Sequence, residues 1–324
     1  MITKFKSLLK HKGFIKYFKN TSWVLIEKII RFTVGLFVGV WVARYLGPER
    51  FGLLSYAQSF VGLFTIIASL GLNGIVVREL VKNNNLNDEI IGTAFWLKLI
   101  AAFGVLLILA IAINFTSNDT YTNILIFIIA SATIFQSFNV VDFYFQSKVM
   151  SKFVVYANII SLFLSSIVKI TLILNEAPLV AFAWVILFDS FILACGFIYF
   201  YIKKNLKFKI KNLKLKIKTA TSLLKDSWPL ILSGIAISIY MKIDQVMIKE
   251  MMNAEAVGQY AAAVRLSEVW YFIPMVITAS LFPAIINAKK KNENLYYLRF
   301  QRLYDFMVFM AIAIALPMTF LGYW

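Results

Sequence analysis

The sequence predicts an all-α polytopic membrane protein of about nine transmembrane helices, arranged as one six-helix lobe and half of a second, pseudo-symmetric lobe. Three observations support this fold class: the apolar composition, the length of the apolar stretches and an internal repeat. Hydrophobic residues make up 60% of the 324-residue chain, and its mean hydropathy is +0.77. Soluble domains are closer to half apolar, so the composition excludes an ordinary soluble protein.

The apolar residues occur in long blocks. A helix needs about 20 apolar residues to cross the hydrocarbon core of a bilayer. Nine stretches reach that length, near residues 22–43, 51–74, 90–113, 121–145, 153–174, 178–202, 228–249, 259–286 and 303–323. These blocks predict where the membrane helices lie.

Basic residues orient the predicted helices. The net charge is +17, and 24 Lys and Arg residues fall in the N-terminal arm and the even-numbered loops. The opposite loops hold three, at Arg44, Arg50 and Lys249. By the positive-inside rule, the N-terminus and the even-numbered loops are predicted to be cytoplasmic. Nine of the lysines lie between Lys203 and Lys225, and we expect this segment to touch anionic membrane lipids rather than nucleic acid.

A repeat divides the chain. Ser22-Trp23 and Ser227-Trp228 each open a long apolar stretch, and the two stretches end in Glu-x-apolar-Gly turns at 49–52 and 255–258. The interval from Trp to Glu is 26 residues in the first copy (23 to 49) and 27 in the second (228 to 255). Internal repeats are typical of transporters whose substrate sites lie between related halves. We therefore predict an N-terminal lobe at 1–202, a cytoplasmic linker at 203–226 and an incomplete C-terminal lobe at 227–324.

The inventory of reactive side chains argues against an enzyme. The chain has one cysteine, Cys195, and one histidine, His11. Such an inventory excludes an intramolecular disulfide, a Cys/His zinc site and a histidine-based triad. We predict no catalytic residue, no metal site and no bound cofactor.

Charged residues inside the apolar spans are the candidates for a functional site. Each costs roughly 2.5–3.5 kcal/mol near the bilayer centre, so most should face protein or a water-filled cavity. Local ion pairing is an alternative, because Arg31 follows Glu27 by four residues and Glu268 follows Arg265 by three. The spans contain six cations, at Lys28, Arg31, Lys98, Lys169, Lys242 and Arg265. A cationic cavity suits an anionic substrate.

Five segments resemble the Wzx-type oligosaccharide flippases. They are Trp41–Gly52, Ser69–Glu79, Asp142–Ser147, Trp228–Gln245 and Ala256–Pro283. These flippases belong to the multidrug/oligosaccharidyl-lipid/polysaccharide (MOP) exporter superfamily, which also holds lipid II flippases and MATE drug antiporters. The resemblance covers essentially the whole chain, and segments of this length are more specific than a short motif.

The resemblance implies two six-helix lobes that form a V around a central cavity and rock against each other for alternating access. It implies transport of undecaprenyl-pyrophosphate-linked oligosaccharide across the bacterial cytoplasmic membrane, for O-antigen or capsular polysaccharide assembly. Polysaccharide polymerase and other assembly proteins are the further partners that it implies.

The resemblance also implies roles for the charged residues. Cavity arginines occur in the family on the first helix and at the start of the second lobe. The matching positions imply pyrophosphate contacts for Arg31, Lys98, Lys242 and Arg265. Asp142 and Asp244 are candidates for Na⁺ or H⁺ coupling, and a structural bond from Asp142 to neighbouring helices is the alternative.

The number of helices departs from the family pattern. Members usually have twelve or more, so we expect this chain to be a truncated form. Two alternatives stay open: a MATE-like antiporter of small cations, which predicts an acidic cavity, and a truncated flippase that acts at most as a membrane scaffold. A membrane-integral glycan ligase or polymerase would need large external loops, whereas the loops here are short.

Overall fold

A computed structural model of the chain describes residues 12–83, 86–204, 214–268 and 292–321. The regular secondary structure in these ranges is helical, and seven of the helices are long and apolar enough to cross a membrane. The first of the seven contains a sharp turn and therefore comprises two predicted spans. Most of the predicted span 259–286 lies outside the described residues. The chain is an all-α multi-pass membrane protein, while the count of nine spans stays a prediction.

Ten α-helices occur in the described ranges. In chain order they are α1 (Lys12–Ser69), α2 (Leu72–Lys82), α3 (Asn87–Ala112), α4 (Thr120–Phe135), α5 (Val140–Ser147), α6 (Lys152–Leu174), α7 (Leu179–Lys204), α8 (Ile217–Met251), α9 (Ala254–Glu268) and α10 (Glu293–Leu321). Two short 3₁₀ turns complete the list: Ile113–Phe115 follows α3, and Gln136–Asn139 separates α4 from α5.

A break at Gly47 converts α1 into two membrane crossings. A continuous helix of 58 residues would be about 87 Å long at 1.5 Å per residue, whereas the hydrocarbon core is about 30 Å thick. Gly47 has φ 70° and ψ 172°, a conformation that glycine adopts without steric cost. Pro48 follows, and its missing N–H suits the first turn of the next helix.

Interhelical hydrogen bonds define two ends of the bundle. At one end, Tyr45 Oη donates to the Ala177 carbonyl (2.9 Å), which joins the Gly47 break to the α6–α7 loop. We call this the turn end. At the other, Asn20 Nδ2 donates to Ser151 Oγ (3.1 Å), which joins the first span to the start of α6. We call this the lysine end, because most of the loop lysines among the described residues lie there.

Two apolar clusters fill the bundle. The cluster nearer the turn end includes Phe51, Leu125 and Phe182, and the cluster nearer the lysine end includes Leu72 and Phe145. Lipid tails are as apolar as leucine, so these side chains stabilise the bundle through close packing rather than through removal from water.

The chain divides into two compact units, residues 1–264 and 265–324. The first unit holds α1 to α8 and most of α9, and the second holds the end of α9 and α10. Helix α8 begins at Ile217, so residues 217–226 of the predicted linker are helical. The contacts that build the candidate site all lie within the first unit.

Candidate functional site

An antiparallel helix pair joins the two copies of the repeat. The part of α1 after Gly47 packs along α8 from one end of the bundle to the other, and we call this contact the seam. Near its middle, Ser59 Oγ donates to Gln245 Oε1 (2.8 Å), and both side chains are buried. At the lysine end, a β-carbon placed on Gly71 would lie 3.0 Å from the Ser227 carbonyl oxygen.

The two repeat turns touch each other at the turn end of the seam. A β-carbon on Gly52 would lie 1.7 Å from the Ala254 carbonyl oxygen, and one on Gly258 would lie 1.9 Å from the Pro48 carbonyl oxygen. Gly258 follows Gly52 by 206 residues, and Ala254 follows Pro48 by the same 206 residues. The repeat therefore maps this contact onto itself, as a two-fold axis would. Glycine is required on both sides because the backbones meet directly.

A polar cluster lies beside the glycine contact. Tyr56, which is fully buried, donates to Glu250 Oε1 (3.1 Å) and accepts from Asn118 Nδ2 (3.0 Å). Ser117 Oγ donates to the other Glu250 oxygen (2.8 Å). Lys249 Nζ lies 5.3 Å from the Tyr56 ring centroid and donates to Asn118 Oδ1 (3.3 Å). Residues from α1, α8 and the α3–α4 loop are thus joined at this end.

The α3–α4 loop is itself held by a helix cap. Asp119 Oδ1 accepts from the Thr122 backbone N–H (3.1 Å) at the start of α4. Hydrogen bonding from Thr122 lowers the pKa of the Asp119 carboxyl below its usual value, so the residue caps the helix as a carboxylate. This cap fixes the loop that supplies Ser117 and Asn118.

Exposed ion pairs close the lysine end. Arg78 on α2 pairs with Asp226 on α8, and both side chains are largely exposed. Lys216 Nζ lies 2.5 Å from Glu89 Oε2, and Thr219 Oγ1 donates to Glu89 Oε1 (2.5 Å). Helices α2 and α3 of the first copy are thereby connected to the start of α8.

Between these ends lies a polar cavity of about 400 Å³, which we call the seam cavity. Its polar side chains come from α1, α2, α3, α4, the following 3₁₀ turn and α8: Thr65, Ser69, Asn73, Lys98, Thr133, Gln136, Asn139 and Ser238. Lys98 is 4% exposed, and its Nζ lies 5.1 Å from the Phe143 ring centroid. Lys242 on α8 lies next to this cavity, because its Cγ would lie 3.6 Å from a β-carbon on the lining residue Gly62.

A second polar cavity, of about 440 Å³, lies between α1, α5 and α6, and we call it the inner cavity. Glu27, which is 2% exposed, lines it and accepts from Arg31 Nε (2.7 Å). The ion-pair interpretation of Glu27 and Arg31 is therefore correct. Asp142 lines this cavity and interacts electrostatically with Lys28 and with Lys98, a residue of the seam cavity.

The structure separates the six predicted site residues. Lys98 lines the seam cavity and Lys242 lies next to it. Asp142 lines the inner cavity, and Arg31 pairs with Glu27, which also lines it. Asp244 accepts hydrogen bonds from Tyr260 Oη on α9 and from the Gln245 backbone N–H (2.8 Å). Arg265 is an exposed residue on α9 at the start of the second unit. Its substrate contact stays a prediction.

Sequence reasoning missed the neutral part of the seam cavity. Charged residues in apolar spans stand out, whereas Thr65, Ser69 and Asn73 were not singled out as cavity residues. Gln136 was missed as well, although it begins the 3₁₀ turn that interrupts the fourth predicted span. Amide side chains deep in an apolar block were the available signal. A mid-span 3₁₀ turn often marks a functional site, but it cannot be read from the hydropathy.

The fold built by these helices is that of the MATE transporters. A structure described as the inward-facing conformation of a multidrug resistance MATE family transporter of the MOP superfamily superposes with a TM-score of 0.69, over 89% of this chain and 70% of that one, at 15% identity. A crystal structure of MATE in complex with Br-NRF gives 0.53, over 95% and 77%, at 14% identity. At such identities the likeness establishes the fold.

The family follows from the sequence. The profile of the polysaccharide biosynthesis protein family matches residues 17–289. This is most of the chain, and the protein belongs to that family. No curated protein matches the sequence. The family and the fold confirm the resemblance to the MOP superfamily, and together they support a membrane transporter.

Proposed function

We propose that the protein is a flippase that moves undecaprenyl-pyrophosphate-linked oligosaccharide across the bacterial cytoplasmic membrane for O-antigen or capsular polysaccharide assembly. The observation that carries this proposal is the seam cavity. It lies between the two copies of the repeat, it is lined by Lys98 and by neutral hydroxyl and amide side chains, and Lys242 lies beside it.

The lining matches the chemistry of the head group. Lysine ammonium groups bind phosphate oxygens as point charges, so Lys98 and Lys242 are suited to a pyrophosphate. Hydroxyl and amide side chains such as Thr65, Asn73 and Gln136 both donate and accept hydrogen bonds, as sugar hydroxyls do. The volume of about 400 Å³ falls within the usual range of ligand pockets. The prenyl tail stays in lipid while the head group crosses.

Alternating access would open the two ends of the seam in turn. The positive-inside rule places the lysine end in the cytoplasm, so the N-terminus is cytoplasmic in this proposal. Substrate then enters where Arg78–Asp226 and Lys216–Glu89 separate, and leaves where the contact between Gly52 and Gly258 opens. The repeat copies, as the two lobes, rock against each other.

Asp142 is the better candidate for Na⁺ or H⁺ coupling. It lines the inner cavity and interacts with Lys98, a residue of the seam cavity, so a change in its charge acts on both. Asp244 accepts a hydrogen bond from Tyr260, so we assign it a structural role in linking α8 to α9 beside its candidate role in coupling. Arg31 and Arg265 remain predicted substrate contacts, which they would make in the open conformations of the transport cycle.

An antiporter of small cations is the second candidate function. The observation in its favour is the inner cavity, where Glu27 and Asp142 supply two carboxyl groups. Such a transporter would protect cells against cationic drugs, and neutral Gln and Asn at these two positions would abolish the protection.

Complementation tests the flippase directly. The gene is deleted, this chain is supplied on a plasmid, and surface polysaccharide is measured together with accumulated lipid-linked oligosaccharide. Lys98→Gln and Lys242→Gln should each reduce surface polysaccharide at least tenfold, since a hydrogen bond to a charged group contributes about 1.5–3 kcal/mol. Lys218→Gln, at an exposed position of α8, is the matched control and should act like the parent chain.

The outcomes separate the candidates. Restored polysaccharide that depends on Lys98 and Lys242 supports the flippase. Drug resistance without polysaccharide supports the antiporter. Full activity in both lysine variants would refute the assignment of the seam cavity as the substrate site.

A further inference from the structure

Three lysines at the lysine end lie against aromatic rings. Lys152 Nζ is 5.1 Å and Lys204 Nζ is 4.9 Å from the centroid of the same Phe153 ring. Because both distances are measured to the same ring centroid, the two ammonium nitrogens are at most 10.0 Å apart. Lys203 Nζ is 5.5 Å from the Tyr199 ring centroid and donates to its hydroxyl (3.4 Å).

The rings form one continuous group. The centroids of Phe153 and Phe200 are 5.9 Å apart, and those of Tyr199 and Phe200 are 5.2 Å apart. We call the six residues Lys152, Phe153, Tyr199, Phe200, Lys203 and Lys204 the basic-aromatic patch. It joins the start of α6 to the end of α7, and its three lysines are exposed.

The charge of the patch is not balanced by acids. In the part of the chain that the structure describes, no carboxylate lies within salt-bridge distance of Lys152, Lys203 or Lys204. Other cations at this end do have such partners, as Arg78 has Asp226 and Lys216 has Glu89. The patch therefore concentrates positive charge that an external anion can neutralise.

The position of the patch selects the anion. Lys152 and Lys204 are terminal residues of two membrane-spanning helices, so the patch lies at the depth of the lipid headgroups. Aromatic rings are enriched at that depth, and basic residues there attract anionic lipids. The rings hold the ammonium groups in place by cation–π interaction, which lowers the entropy lost when an anion binds.

We propose that the basic-aromatic patch binds the phosphate of an anionic phospholipid headgroup. The site is on the rim of the first repeat copy, apart from the seam cavity. Phosphatidylglycerol is the ligand class, because its headgroup carries a net negative charge and has no ammonium group to repel the lysines. The proposal concerns the purified protein and does not depend on what the protein transports.

Native mass spectrometry of the full chain in detergent tests this site. Phosphatidylglycerol and phosphatidylcholine with the same acyl chains are titrated against the parent, the K152Q/K204Q variant and the control R44Q/R50Q, which removes the same charge from exposed positions at the turn end. Each lysine near an anionic surface should contribute about fivefold, so the patch variant should lose on the order of twentyfold in phosphatidylglycerol affinity. The control should lose less than about twofold.

Two further variants define the chemistry. K152R/K204R keeps the charge and should keep binding. Phe153→Leu keeps both lysines but removes the ring, and it should lose about two- to fivefold.

Three results would overturn the site. An equal loss in patch and control variants would show diffuse charge attraction. Equal binding of phosphatidylcholine would show no selection for an anion. Displacement of the lipid by millimolar inorganic phosphate would show a free-anion site. A failed polysaccharide assay, by contrast, would leave this result unchanged, because lipid binding is measured without transport.

Discussion

The two ends of the seam are closed by different chemistry. At the turn end, backbone meets backbone at Gly52 and Gly258, and the buried Tyr56 joins Glu250 beside them. At the lysine end, the pair Arg78 and Asp226 is exposed, with 53% and 42% of the side chains accessible. Close backbone packing tolerates no added atom, whereas exposed ion pairs adapt and are screened by salt. We infer that the turn end is specified by shape and the lysine end by charge.

Gly258→Ala should have the largest effect, because its β-carbon would lie 1.9 Å from the Pro48 carbonyl oxygen. The backbones must separate, so the turn end should no longer close and surface polysaccharide should fall at least about tenfold. Thiol labelling of a cysteine at Ser59, in a Cys195→Ala background, should become faster.

Gly52→Ala is the mirror variant, and it should match Gly258→Ala in size because the contact maps onto itself. Gly104→Ala is the control, since no atom lies within 4 Å of a β-carbon there. If the cysteine at Ser59 is labelled as fast in the Gly104→Ala control as in Gly52→Ala and Gly258→Ala, the turn end is not closed by this contact.

Tyr56→Phe should have the intermediate effect. It removes the hydroxyl that donates to Glu250 and accepts from Asn118, but it adds no atom. A buried hydrogen bond to a charged group contributes about 1.5–3 kcal/mol, so the melting temperature in detergent should fall by about 5 °C. Tyr121→Phe, at the start of α4, should leave the melting temperature unchanged. Equal melting-temperature shifts in Tyr56→Phe and Tyr121→Phe would show that the hydrogen bonds of Tyr56 do not stabilise the turn end.

Arg78→Gln and Asp226→Asn should have the smallest effect. The pair is exposed, so each substitution should lower the melting temperature by less than about 2 °C. Raising the salt from about 0.05 to about 0.5 M should abolish this difference, because it shortens the Debye length to a few ångström. A double-mutant cycle measures the coupling. A drop as large as that of Tyr56→Phe would show that both ends are held equally firmly.

The sequence predicted more of the turn end than of the lysine end. The repeated Glu-x-apolar-Gly turns marked Gly52 and Gly258 as equivalent positions, and the structure shows that they meet. The sequence could not predict the hydrogen bond between Tyr56 and Glu250, because the two residues lie 194 positions apart and neither belongs to a recurring pattern. The exposed ion pair Arg78–Asp226 could not be predicted either, because the basic residues of the loops outnumber the acidic residues that could pair with them.

The candidate site was predicted in part. Helical spacing was enough for Glu27 and Arg31, because residues four apart share a face of one helix. Lys98 and Lys242 were predicted from their charge inside apolar spans and from the family resemblance, and their closeness to one cavity depends on how α3 and α8 are rotated around α1. Asp142 lines the inner cavity, and its interaction with Lys98 of the seam cavity could not be derived from the pattern around it.

The amino-acid sequence by itself determined the membrane class, the approximate spans, the charge asymmetry and the repeat. Each of these follows from a rule that acts along the chain: a span needs a minimum apolar length, and loop charges orient it. The tertiary structure decided which polar side chains converge. A lipid-embedded helix is apolar on nearly every side, so its hydrophobic pattern does not indicate which side faces the other helices. Packing settles that rotation, as at Gly52 and Gly258, and with it the cavity that the two repeat copies share.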